Sequence, residues 1–299
     1  MSASQKSKTE ETESTSNGGN TITFRAREFK GSRLRCLLLT SQAPEEVAEF
    51  LSALVSPRGE IKAGMKWAPR GFLEPDEAKL GETAGFLSDE DRLTLTQWWL
   101  AKPGRANTPN WDLVSECLIG NRSGLILVEA KAHEGELNHD SCGAVKENEV
   151  SIKAALAQAT VAWNQLLPGF ALSADSHYQL SNRFAFAWKV AELGTPVVLV
   201  YLGFLNAHEM NGCRLLVSDG QWRSCVMKKS AGLVPEDVWE KTFDVNGTPL
   251  TILIRSALVG ITAEVMSKPD VIEVAAQLSV KRSRVDGHDV EPEITEWEE

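Results

Sequence analysis

No stretch of this chain approaches the roughly 18 consecutive apolar residues that suggest a membrane-spanning helix. The longest apolar segment, Thr195–Leu205, suits a buried strand instead. The first residues, MSASQKSKTEETESTSNGG, are polar throughout and lack the apolar core of a secretory signal. The five cysteines (36, 117, 142, 213 and 225) are odd in number and fall at no metal-like spacing. They are expected to be reduced thiols of a cytoplasmic protein. A glycine-rich phosphate loop and a Gly-x-Ser-x-Gly elbow are both missing, which argues against P-loop, dinucleotide-binding and serine-hydrolase chemistry. The segment HEGEL lacks the second His of a zinc protease helix, and His133, His139 and Cys142 match no common zinc spacing.

Excess positive charge is missing too. The formal net charge is −10. Residues 1–20 carry two Lys against three Glu, and residues 281–299 carry three basic side chains against seven acidic ones. Removing −1 and −4 leaves −5 on residues 21–280, so a broad basic face is excluded. Contact with DNA would have to be local and metal-assisted.

What is present reads as an ordinary globular protein: 299 residues, 42% hydrophobic and 24% charged. Residues 1–20 and the acidic segment 281–299 are expected to be disordered. Residues 21–74 read as an N-terminal extension packing on the core, and 75–280 as the main α/β domain. Within the extension, TITFRAREF and RLRCLLLT suggest two short strands, and APEEVAEFLSALVS has helical spacing. Helices are expected at Pro75–Gly81, at Ser88–Leu100 with Ser88 as cap, at Ala144–Leu167 and at Gln179–Leu193. Strands are expected at Asp112–Ile119, Leu125–Lys131 and Thr195–Leu205. Residues 214–226 suggest a hairpin turning at Asp219-Gly220, VPEDVWEKTF a short helix, and TPLTILIRSA a final strand or a helix start. The order implies a small central mixed sheet flanked by helices. The nine Trp fall mostly in apolar segments, where core packing is the default.

One feature stands out against this background. An acid two residues before a Lys occurs four times, at Glu28/Lys30, Glu60/Lys62, Glu77/Lys79 and Glu129/Lys131. Only the last follows four consecutive large aliphatics, in LILVEAK. A strand's period of two puts Leu127, Glu129 and Lys131 on one side. If Ile119 and Gly124 are the last paired residues of a hairpin around GNRS, Asp112 lies opposite Lys131 on that same side. A slip of one residue would send Asp112 to the other face. Two carboxylates held close together repel unless a cation joins them, and hard oxygen ligands suit Mg²⁺ or Mn²⁺. A Lys beside them can orient water and offset charge on a phosphoryl oxygen.

PNWD, with sixteen residues between Asp112 and Glu129, followed by LVEAK, resembles the PD-(D/E)XK nuclease superfamily. The resemblance spans roughly residues 75–205 and implies a restriction-endonuclease-like fold. It implies that Asp112 and Glu129 are metal ligands, that Lys131 positions the attacking water, and that the substrate is nucleic acid, DNA ahead of RNA. Pro109-Asn-Trp-Asp replaces the strict Pro-Asp. The family often adds a Glu from a preceding helix, for which Glu77 and Glu82 are candidates. Its Gln-x-x-x-Tyr appears here as QLSNR, with Arg183 in place of Tyr. Gln179 and Arg183, one helical turn apart, can reach a phosphate or form a surface pair. Glu116 shares the face of Asp112 and is a further candidate. Glu134 and Glu136 read as solvated loop acids. The alternative from another class is a non-catalytic binding or interaction module in which Glu129 and Lys131 form only an ion pair.

Overall fold

The computed structural model describes residues 22–24, 30–103, 106–137, 140–144, 146–210, 212–261, 272–274 and 276–279. The two terminal segments expected to be disordered, and His139, lie outside the described residues. In chain order the elements are β1 (Ile22–Phe24), α1 (Gly31–Thr40), α2 (Pro44–Val55), β2 (Trp67–Ala68), β3 (Ala78–Lys79), α3 (Asp89–Trp99) and β4 (Asn110–Trp111). They continue with β5 (Leu113–Ile119), β6 (Arg122–Lys131), α4 (Lys146–Leu166), α5 (Tyr178–Glu192), β7 (Val197–Leu205) and α6 (Asp219–Ser230). The last are β8 (Thr242–Val245), β9 (Thr248–Ile261), β10 (Ile272–Val274) and β11 (Ala276–Ser279).

The result is an α/β protein with a mixed central sheet. Its strand order is β11-β9-β7-β6-β5-β2, and β8 also pairs with β9. The sheet begins as an antiparallel run, β2–β5–β6, and turns parallel from β6 to β7 and from β7 to β9. Parallel neighbours need a crossover, and α4 and α5 provide it between β6 and β7. On β6, Leu125 and Leu127 face the core beneath α3, α4 and α5. Ile126, Val128 and Ala130 face the core beneath α1 and α2. Both faces are covered, which is why β6 and β7 read as continuous aliphatic runs. Residues 30–74 thus supply the two helices on one face and the edge strand β2. Among the described residues, no helix is long and apolar enough to cross a membrane.

Three local expectations are corrected. Residues 33–40 are helical and not a strand: eight of the ten residues of α1 are buried, so polar positions that would reveal a helical period are lacking. Residues 75–81 form no helix. Pro75 and Gly81 bracket too short a segment to nucleate one, and Ala78–Lys79 pairs instead with Asn110–Trp111. Residues 219–230 form α6 and not half of a hairpin. The Ser218 side chain accepts a hydrogen bond from the Gln221 N–H at 3.2 Å, so the apparent Asp-Gly turn is a helix start. Trp222, Cys225 and Val226 form the buried face of α6. The TPLTILIRSA segment lies within strand β9.

The β5–β6 hairpin is tighter than expected. Ile119 pairs with Arg122 across Gly120-Asn121, with Gly120 at φ 61°. Every pairing therefore moves by two residues, which preserves the face of each side chain. Extending the observed pairs Ile119↔Arg122 to Leu113↔Val128 puts Asp112 opposite Glu129, not Lys131.

Gly203 on β7 lies beside Lys131 in the ladder, and a Cβ there would meet the Trp222 indole at 2.5 Å. That indole is fully buried, and its Nε1 donates to the Tyr201 carbonyl at 3.2 Å. Gly203→Ala is therefore expected to destabilise the protein by about 1–3 kcal/mol through overpacking, read as a lower urea midpoint with unchanged m.

Candidate functional site

The strand-end cluster forms around one buried carboxylate. Glu129 is 1% exposed on β6. One of its oxygens accepts from Lys131 Nζ and the other from Arg183 Nε. The guanidinium is fixed on its remaining sides. Arg183 donates to the Asn110 carbonyl at 2.6 Å and to Asn182 Oδ1 at 2.8 Å, and lies over the Trp111 ring, 4.5 Å from its centroid. Arg183 comes from α5, which packs on the Glu129 face of the sheet; one helical turn after Gln179 it points inward.

Asp112 sits between β4 and β5, where the chain bends into the central sheet. Its Oδ2 accepts the Ala130 N–H at 2.8 Å, so a side chain completes the ladder that the backbone has left. Asp112 also lines an open cleft of about 450 Å³ with the carboxylates of Glu77, Glu136 and Asp140. Asn110, Tyr178, Gln179 and Arg183 add polar groups to the wall. Glu129 and Lys131 lie behind it, 1% and 5% exposed.

The two carboxylates at the strand end experience opposite fields. Burial alone would raise Glu129, but the Arg183 and Lys131 cations outweigh it and hold the carboxyl below its ordinary value. Burial opposes the charges of Lys131 and Arg183, yet Glu129 and Asp112 keep both more firmly protonated than usual. Asp112 is pushed up to about 7 by burial and then by the Glu129 charge, against Lys131, the Ala130 N–H and Arg183. Tyr201, beside Glu129 on β7, has its phenol raised by burial and by Glu129, and its hydroxyl makes no hydrogen bond to any described residue.

Of the residues expected in the site, the structure brings together Asp112, Glu129, Lys131 and Arg183, with Glu77 and Gln179 on the cleft wall. Glu77 accepts from Asn110 Nδ2 at 3.0 Å, although it precedes a short strand and not a helix. Glu116 points elsewhere: it accepts the Lys66 N–H at 2.9 Å and does not line the cleft. Glu82 pairs with Lys79 at 3.6 Å. Glu134 bonds to Gln221 at 2.8 Å and lies 3.3 Å from Arg214. Glu136, read from the sequence as a solvated loop acid, turns back through a 3₁₀ turn to accept the Ala132 N–H at 2.8 Å and enters the cleft. Asp140 carries no sequence signal; its carboxylate accepts the Gln179 N–H at 3.1 Å, at the start of α5.

Among the described residues, no three His, Cys, Asp or Glu side chains are grouped to hold a metal ion. Mg²⁺ commonly takes only one or two carboxylates, completing its shell with water and substrate. Among the described residues, Asp112 has one oxygen without a hydrogen-bond donor, and each Glu129 oxygen accepts one bond where two are possible. These two carboxylates are the ones that could take part in holding a cation there, and Glu129 is already ion-paired on both oxygens. No protein-family model, curated protein or solved structure matches this chain.

The raised Asp112 value has a consequence for stability. A carboxyl whose folded value exceeds its unfolded one stabilises the fold when protonated, fully below about pH 4, and that contribution is lost as pH rises through about 7. Asp112→Asn keeps an acceptor for the Ala130 N–H and removes the titration. In EDTA, the stability of the native protein relative to this variant is expected to fall by up to about 4 kcal/mol between pH 4 and pH 8, at about 1.36 kcal/mol per pH unit between the two values. Parallel pH profiles from urea unfolding would refute this assignment.

Proposed function

We propose that the cleft hydrolyses phosphodiester bonds with the help of a divalent cation, DNA ahead of RNA. The observation that carries this reading is a buried Lys–carboxylate pair just after the apolar run 125–128 of β6, with a second carboxylate opposite and a cleft alongside. Buried ion pairs are often no more stabilising than apolar groups of the same shape. Stability alone is a weak reason to put Glu129 and Lys131 there, and the resemblance to the PD-(D/E)XK superfamily gives them a use.

Asp112 and Glu129 would hold Mg²⁺ or Mn²⁺, which when bound would polarise a phosphoryl oxygen. Lys131, oriented by Glu129, would place a water and offset charge developing on the phosphate. Arg183 takes the second Glu129 oxygen and keeps that carboxylate ionised and immobile. It stands where the family's helix motif has a Tyr, and its charge serves Glu129 before any phosphate. Asp112, closing the ladder with one oxygen, would present the other to the cleft.

A second reading, a non-catalytic binding or interaction module of the same fold, is favoured by one observation: both Glu129 oxygens are already ion-paired. Incubating the purified protein with plasmid, single-stranded DNA and RNA, each with Mg²⁺, Mn²⁺ or EDTA, separates the two. Cleavage is expected with the metals alone. It should fall by at least about 100-fold in Lys131→Met and in Asp112→Asn, the loss typical of removing one transition-state contact. Asp112→Asn should melt no lower than the native protein at pH 8. No metal-dependent cleavage of any substrate, or full activity in Asp112→Asn, would leave the interaction module as the reading.

A further inference from the structure

We infer that the cleft takes a single nucleotide at a free strand end and not the interior of a duplex. This rests on the phosphodiester reading above. The cleft volume of about 450 Å³ is that of a small-molecule pocket, in a range of roughly 300–1,000 Å³. Proteins that follow an intact strand use a positively charged groove that tracks its backbone. Here the only basic side chain among the described residues lining the cleft is Arg183, and its charge is committed to Glu129.

The rim is acidic, and its acids are tethered. Asn110 Nδ2 holds Glu77, the Ala132 N–H holds Glu136, and the Gln179 N–H holds Asp140. A duplex carries one negative charge per roughly 1.7 Å of its axis. A backbone continuing on both sides of the cut bond would press further phosphates against these carboxylates, whereas a terminal nucleotide brings few. Tyr178 offers a wall fixed by stacking on Trp99, with ring centroids 6.4 Å apart and planes inclined by 20°. Beside it, the side-chain amide of Gln179 bonds to no described residue and offers the donor and acceptor that together read a base edge.

The test uses one DNA sequence in three forms: linear with free ends, linear with both ends closed by hairpin loops, and a covalently closed circle, each with Mg²⁺. Free-ended DNA is expected to yield mononucleotides, with the closed forms cut at least about 100-fold more slowly, a preference consistent with like charges facing one another. Cutting of closed DNA at a comparable rate would overturn the strand-end inference and leave the phosphodiester reading standing. Cleavage of no form would overturn both. A readout independent of turnover is calorimetric titration with deoxynucleoside 5′-monophosphate and Mg²⁺. Binding is expected in the native protein and should weaken by about 10-fold in Gln179→Ala, the loss of roughly one hydrogen bond. Absent binding, or binding unchanged in Gln179→Ala, would overturn the assignment of this pocket to a nucleotide.

Discussion

A carboxylate that is 1% exposed must be paired or give up its charge. Glu129 is paired twice, and the organisation of the site follows from that. Lys131 comes from the same strand and Arg183 from α5, so one buried charge ties the end of β6 to the helix that covers it. Through the same guanidinium the tie extends to the Asn110 carbonyl on β4, and through the Asn110 side chain to Glu77. The two bonds to Glu129 are directional and buried, so the arrangement at the carboxylate has few alternatives, whereas the Asn110–Glu77 bond is exposed. Such a network specifies geometry more than it adds stability.

The charges are tolerated because the sheet opens at that level. From Leu125 to Val128, β6 is flanked on both sides, by β5 and by β7. From Glu129 onward only β7 continues as a backbone partner, because the chain before Leu113 bends away and pairs with β3 instead. The gap would leave the Ala130 N–H without a partner, and Asp112 fills it with a side-chain oxygen. The same bend that ends β5 therefore makes the cleft and puts a carboxylate on its wall.

Two acids face each other across this hairpin and differ in their surroundings. Glu129 takes the field of both cations and stays ionised; Asp112 takes the burial and the repulsion and titrates near neutrality. Environments that separate the proton affinities of neighbouring carboxyls are a recurrent feature of acid–base sites.

The chain's own pattern determined the core and the position of the charged pair within it. Aliphatic runs at 125–128 and 197–200, the long helical spacing of 146–166, and a period of two carrying Glu129 and Lys131 to one face all follow from residue order. The face of Asp112 was legible as well, since an error of two residues in the register leaves side-chain parity unchanged. The helix α1 was not legible, because with eight of its ten residues buried it shows too few polar positions to mark a period; α6 was hidden by a Ser-Asp-Gly that serves equally as turn or cap. Tertiary structure alone decided which acids meet. Glu136 reaches the cleft only because a 3₁₀ turn folds it back onto Ala132, and Asp140 only because Gln179, 39 residues later in the first turn of α5, lies beside it. Arg183 becomes the second cation of Glu129 for the same reason: 54 residues separate them, and only the packing of α5 on the sheet brings guanidinium and carboxylate into contact.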